Sequence, residues 1–246
     1  MQNKYDVIIY KASLEGIKLA KKLTEQGKKV LLINNIGFCG DTITETLNLL
    51  QYKNNILSFQ FEKLPEFLYD DGNKVIVEPE TFKFYLHKFL VDNSIEHLFY
   101  VTVLQFKDNE VELIAKEGNL KFYFDVFVDA SEQFDIYKYF NSNYTFEKAY
   151  IHLITNKPLE IEIVNNIENI KYLQLQDKRY FITLQNDEKD LIKLDNRMVE
   201  ILMNFDETIY PVRSQLVPGN THKIYKKPNT KIITKNIVFP EYFEEL

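Results

Sequence analysis

The sequence predicts an α/β fold: a parallel sheet flanked by helices, a β-meander that returns to that sheet, and a smaller antiparallel β-rich second domain. Three observations carry this reading. A strand–helix–strand unit of about 30 residues opens the chain. From Phe99 onward, short apolar runs alternate with turn residues at Asp108-Asn109 and Gly118-Asn119, then end in one more strand that reads as buried. The second half contains further strand-like runs and one amphipathic stretch.

Each element has a local reason. Tyr5 to Tyr10 is short, apolar and β-branched, as expected of a strand buried on both faces. Ser13 can cap the helix that follows. Gly16, Ile17, Leu19, Ala20 and Leu23 form its inner stripe, with Lys18, Lys21, Lys22 and Glu25 outside, and Gly27 supplies the stop. Lys29 to Asn34 is a second buried strand, and a right-handed crossover makes it parallel to the first. Ile43–Leu50 predicts a helix and Val75–Val77 a strand. Pro79 suits the first turn of a helix through Val91, with Phe82, Tyr85, Leu86, Phe89 and Leu90 on its apolar face. Strands are expected near 99–106, 110–116 and 120–124, and Asp125–Asp129 reads as a separate buried strand. Beyond Tyr144, strands are expected at 145–155, 159–164, 172–175 and 180–184, and an amphipathic helix at 190–205. The expected boundaries are 1–142 for the first domain, with 206–246 as a candidate addition to it, and 143–205 for the second.

Composition narrows the function classes. The net charge of −6 gives no basic footprint, so nucleic acid is not an expected partner. No apolar run of about 18 residues exists, so no membrane span is expected. The N-terminus enters a strand directly without the regions of a signal peptide, and a soluble cytoplasmic protein is the default expectation. One cysteine, Cys39, permits no internal disulfide, and it forms no metal cluster with the scattered His87, His97, His152 and His222. Only 7 glycines and 3 arginines occur among many Lys, Asn, Ile, Tyr and Phe residues, the bias of an AT-rich, bacterial-like genome.

Four motifs in order carry a resemblance. Asp6-Val7-Ile8-Ile9-Tyr10-Lys11-Ala12-Ser13-Leu14-Glu15-Gly16 is similar to a D-V-I-V-V-G-G-G-P-A-G opening. Gly37-Phe38-Cys39-Gly40-Asp41-Thr42-Ile43-Thr44 is similar to G-F-L-G-G-x-x-T, and Glu78-Pro79-Glu80-Thr81-Phe82-Lys83 to the start of D-P-E-x-x-K-x-x-L. Val128-Asp129-Ala130-Ser131-Glu132-Gln133-Phe134-Asp135 is similar to I-D-A-T-G-D-G-D. Over residues 4–140 the chain thus resembles the FAD-dependent oxidoreductases of the two-domain, Rossmann-like flavoprotein fold. A fainter likeness to I-P-Y-R-S-L-V-P falls at 209–218, where Arg213 is the best anion-binding candidate of the second half.

The resemblance implies a cofactor cleft formed by Lys11, Ser13, Gly16, Asn34, Gly40, Asp41, Ala130, Ser131 and Glu132. In such folds the first turn cradles the pyrophosphate, its first two glycines serving the tight turn and the close backbone approach and its third the helix packing. Here those positions are Lys11, Ser13 and Gly16, so only the packing glycine remains. A side chain at Lys11 or Ser13 projects into or near the phosphate space. Asn34 replaces the acidic ribose partner, Asp41 the second glycine of G-G, and Glu132 the glycine of the A-T-G turn. Scaffold positions therefore fit while cofactor-facing positions depart together.

Individual residues have plainer readings. Cys39 reads as a small buried cysteine before it reads as a nucleophile, because no base stands beside it in sequence. Glu78 and Glu80 suit a helix dipole, His87 a solvated helix face, and His97 and His152 structural roles in strands. The degraded motifs point to a non-catalytic binding or interaction protein, with a protein partner or self-association in place of the cofactor. The alternative is an active FAD-dependent oxidoreductase with an atypical phosphate loop. FAD is the cofactor if any is bound, and a different small ligand in the old cleft is a third reading.

Overall fold

The computed structural model describes residues 3–45, 51–132 and 134–140, and beyond them 146–154, 170–176, 179–185, 196, 222–225 and 237–238. The expected strand at 159–164, the helix at 190–205 apart from the helical Asn196, and the segment containing Arg213 lie outside the described residues, as do residues 46–50 of the expected 43–50 helix.

Strand β1 (Lys4–Tyr10) runs parallel to β2 (Val30–Ile33), with Val7 opposite Val30 and Tyr10 opposite Ile33. Between them, α1 (Leu14–Glu25) is built as its sequence dictates. Ser13 is the N-cap and accepts the Gly16 N–H, Glu15 lies in the first turn, and Lys22 lies in the last. Gly27, at φ +78, takes the left-handed conformation that ends the helix. A parallel strand β6 (His97–Leu98) extends the sheet beyond β2.

The meander is β7 (Thr102–Lys107), β8 (Glu110–Ala115) and β9 (Gly118–Asp129). Here the expectation of separate strands at 120–124 and 125–129 is corrected: β9 is one strand of 12 residues. Its first half is antiparallel to β8, and its second half is parallel to β1, with Tyr10 opposite Asp129. Further along, β14 (Ile237–Val238) pairs in parallel with Phe127 and Val128 of β9. The sheet order is β6-β2-β1-β9-β8-β7, with β14 also on β9.

Apolar cores cover both faces of this sheet. Val7 and Ile9 of β1 face α1 together with Ile17, Ala20 and Leu23. Ile8 and Tyr10 face the opposite side with Val111, Leu113, Phe124 and Phe127. That two-sided burial explains why β1 and β2 read as continuous apolar runs.

Two short helices, α2 (Thr42–Glu45) and α3 (Lys53–Leu57), and a three-stranded antiparallel sheet follow β2. In that sheet β5 (Lys74–Val77) lies between β3 (Gln51–Tyr52) and β4 (Phe67–Asp70). Helix α4 (Pro79–Asp92) begins with Pro79 in its first turn, and the Glu78 carboxylate accepts the Thr81 N–H at 2.7 Å. Glu78 is thus the N-cap itself, a more specific role at the helix start than the dipole contact its position suggested. Helix α5 (Asp135–Phe140) follows β9. The second antiparallel sheet has the order β11-β12-β10-β13, from strands β10 (Phe146–Ile154), β11 (Ile170–Gln176), β12 (Arg179–Gln185) and β13 (His222–Tyr225).

Candidate functional site

The carboxyl ends of β1, β2 and β9 converge where ligands bind in open α/β sheets. Lys11 leaves β1 at φ +80, a backbone that favours glycine, and its N–H donates to Ile33 O at 2.8 Å. Its side chain does not reach solvent: it is 4% exposed. The Nζ lies 3.2 Å from Asp41 Oδ1 and 3.7 Å from Asp135 Oδ2.

Asp41 completes the plug from the other side. It too is left-handed, at φ +46, and it is buried. Its Oδ2 accepts the backbone N–H of Glu132 at 2.9 Å. The preceding Gly40 has φ +107, and its N–H donates to Ala12 O at 2.7 Å, which ties this loop to the first turn.

Ser13 is equally engaged. Its hydroxyl donates to Ala130 O at 2.6 Å and accepts the Gly16 N–H at 3.1 Å. Gly16 is the packing glycine the sequence suggested: a Cβ there would collide with Lys11 O and stand 3.0 Å from the Ala130 methyl. Asn34 is buried, and its Nδ2 donates to Phe38 O at 2.7 Å, so it braces the 36–41 loop.

Asp129 organises the turn after β9. Its Oδ1 accepts from the Ser131 N–H and hydroxyl, and its Oδ2 accepts the Ile136 N–H at 2.9 Å. Burial is the main cause that pushes its pKa up to about 7, against the lowering effect of those hydrogen bonds. Ser131 Oγ in turn accepts the Asp135 N–H at 2.7 Å. Glu132 is half-buried, and its carboxyl is held well above the usual range by desolvation and then by the charges of Asp41 and Glu15, with Lys11 opposing.

The nine sequence-predicted positions therefore meet at one place. Sequence reasoning did not single out Asp135 as a partner of Lys11 or Asp129 as the brace of the turn, although both stood in a quoted motif. Cys39 is fully buried, and desolvation pushes its thiol up to about 12, which fits the inert reading. His87 is exposed, as expected, but its ring meets that of His97 at 5.3 Å; the side chain of His152 lies outside the described residues. Among the described residues no cluster suits a metal ion, and no helix is long and apolar enough to cross a membrane.

No protein family and no curated protein matches the chain by sequence. Solved structures do match its fold. The anhydrotetracycline hydroxylase of Streptomyces rimosus superposes over 96% of this chain at TM-score 0.62 and 11% identity. A myxobacterial FAD-dependent chondrochloren halogenase does so over 96% at TM-score 0.60 and 15% identity. A geranylgeranyl bacteriochlorophyll reductase-like protein of Thermoplasma acidophilum covers 97% at TM-score 0.64 and 11% identity. The chain spans 55% of the hydroxylase, 68% of the halogenase and 71% of the reductase-like protein. The fold is thus the Rossmann-type flavoprotein fold shared by FAD-dependent oxidoreductases.

The residues at the turn do not fit the diphosphate of FAD. A dinucleotide would have to displace the Asp41 carboxylate from Lys11 Nζ and from the Glu132 N–H. It would also meet the carboxylates of Asp41 and Asp135, which face Lys11, and like charge in a poorly solvated turn is costly.

Proposed function

We propose that this chain keeps the flavoprotein scaffold without its redox chemistry and works as a non-catalytic binding or interaction protein. The supporting observation is the buried Lys11–Asp41 pair, in which the chain supplies its own cation and anion to the turn that a dinucleotide would use. In a flavoenzyme the cofactor carries the chemistry and the protein orients it. A turn filled by side chains leaves the protein part of that division without its partner. The scaffold then serves contacts with another protein or with a second copy of the chain.

One property favours a second reading, an FAD-dependent oxidoreductase with an atypical loop. The left-handed backbone at Lys11 is retained, so the turn keeps the shape that a glycine would give it.

Flavin content decides between the two. Protein purified without added flavin is expected to be colourless, with no rise in melting temperature on adding FAD. The variant Lys11→Gly/Asp41→Gly, with the turn cleared, is expected to bind FAD at least about tenfold more tightly than the parent, a gain of about 1.4 kcal/mol. A near-stoichiometric flavin absorbance band in the parent would overturn the first reading and establish the second. Light scattering on the parent then tests self-association.

A further inference from the structure

Away from the β-strand ends, on the outer side of α1, an open cavity of about 680 Å³ lies between α1, the 58–63 segment and α4. Its size falls in the range that holds a small organic ligand. Its floor is aromatic. Phe59 and Phe61 stack with centroids 5.3 Å apart and planes 2° from parallel, and Phe89 meets Phe59 edge-on at 5.0 Å. At the mouth, Phe84 is 66% exposed.

The rim is cationic, although the chain as a whole carries −6. Five lysines and three carboxylates line the cavity. Two of those carboxylates are already engaged, Glu25 with Lys21 and Asp92 with Lys88. Lys22 and Lys63 are exposed and have no ion-pair partner among the described residues. Lys18 reaches over the Phe59 ring at 5.3 Å, which joins the charged rim to the aromatic floor.

We propose that this cavity is a binding site for a small amphipathic organic anion: a flat aromatic body seated on the partly exposed Phe61 and Phe89, which Phe59 backs from within, with a carboxylate or sulfonate head held by Lys22 and Lys63. A stacked aromatic floor takes a ring by its face. Ammonium groups at the edge, without an ion-pair partner among the described residues, fix the head and select against cations. The site is separate from the Lys11 turn, so its occupancy does not depend on whether a dinucleotide binds there.

The test is a fluorescence titration of the full chain with anilinonaphthalene sulfonate, in parallel with neutral N-phenylnaphthylamine, which has a similar body and lacks the charged group. Saturable binding of one equivalent of the sulfonate is expected, at least about tenfold tighter than the neutral compound, and weakening with salt. Lys22→Glu and Lys63→Glu are each expected to weaken it by about fivefold; Lys63→Glu leaves the melting temperature unchanged, and Lys22→Glu, in the last turn of α1, lowers it by no more than about 4 °C. Phe61→Ser removes the floor and is expected to abolish binding. The proposal is overturned if binding is not saturable, if the neutral compound binds as tightly, or if neither charge reversal changes the affinity.

Discussion

Asp41→Asn removes one charge from the buried pair and leaves its shape nearly intact. Asparagine tolerates the φ of +46 at this position, so the backbone contributes little to the change. The amide oxygen can still accept the Glu132 N–H. What is lost is the anion 3.2 Å from an ammonium whose side chain is 4% exposed. Removing one partner of a buried pair costs about 3–5 kcal/mol, because the other charge stays desolvated. Asp135, at 3.7 Å, still faces Lys11 and puts the expectation near the lower end, about 3 kcal/mol. In a domain of this size that is a fall in melting temperature of about 6–12 °C. Urea unfolding at neutral pH measures the loss directly. Lys11→Met should cost a similar amount, and Lys11→Met/Asp41→Asn should recover at least about 2 kcal/mol relative to the sum of the singles. A single-variant loss below about 0.5 kcal/mol, or strict additivity, would refute the claim that the pair is buried and coupled.

Four further outcomes follow from neighbouring residues. Asp129 has a folded pKa of about 7, above its unfolded value, so the native state holds a proton that the unfolded state releases. Its contribution is present at low pH and lost as pH rises from about 4 to 7, up to about 4 kcal/mol in all. Asp129→Asn should remove that slope, and parallel stability curves for the two proteins over this window would count against it. Cys39 should resist a thiol-reactive disulfide reagent at mildly alkaline pH until denaturant is added, and rapid labelling of the native protein would contradict its burial. Gly16→Ala should cost about 1–3 kcal/mol through its collision with Lys11 O and the Ala130 methyl, which thermal unfolding would show. Lys11→Gly/Asp41→Gly should stay within about 1 kcal/mol of the parent, because glycine suits both left-handed positions and both charges leave together. A larger loss in urea unfolding would mean that the pair stabilises the fold beyond its own desolvation.

The sequence revealed most where the determinants were local. Helix α1 was legible because its cap, its stripe and its stop all lie between Ser13 and Gly27. Strand β9 was not legible as one element because its burial changes character midway. Residues up to Phe124 alternate against β8, whereas Phe127, Val128 and Asp129 are buried outright between neighbours. The switch looks like a boundary, and the exposed Asp125, ion-paired with Lys4 at 2.9 Å, adds to that appearance. Helix α5 was missed because its first turn is held by Asp129 and Ser131, groups outside the helix. At the site, Lys11 and Asp41 were each visible as departures from a motif. Their pairing was not, because it joins residues 30 positions apart through a loop with no periodic pattern.

The backbone of the first turn belongs to the sheet rather than to its glycines. Tyr10 is held in register on both sides, against Ile33 and against Asp129, and Lys11 N–H is fixed to Ile33 O. Helix α1 must then start at Leu14, because Ser13 is tied to Ala130 O. The short link between these fixed points runs through Lys11, which takes the left-handed conformation there. A lysine in that conformation costs about 1–2 kcal/mol, and an aspartate at position 41 adds a smaller strain. Such strain persists where surrounding structure over-determines it. Here the compensation is visible, since each strained residue carries the counter-charge of the other. A glycine at position 41 alone would leave the buried Lys11 ammonium facing Asp135 at 3.7 Å, and a glycine at position 11 alone would leave the buried Asp41 carboxylate without that ammonium. Positions 11 and 41 are therefore coupled: both are left-handed, and the side chain of each sets the electrostatic cost of the other.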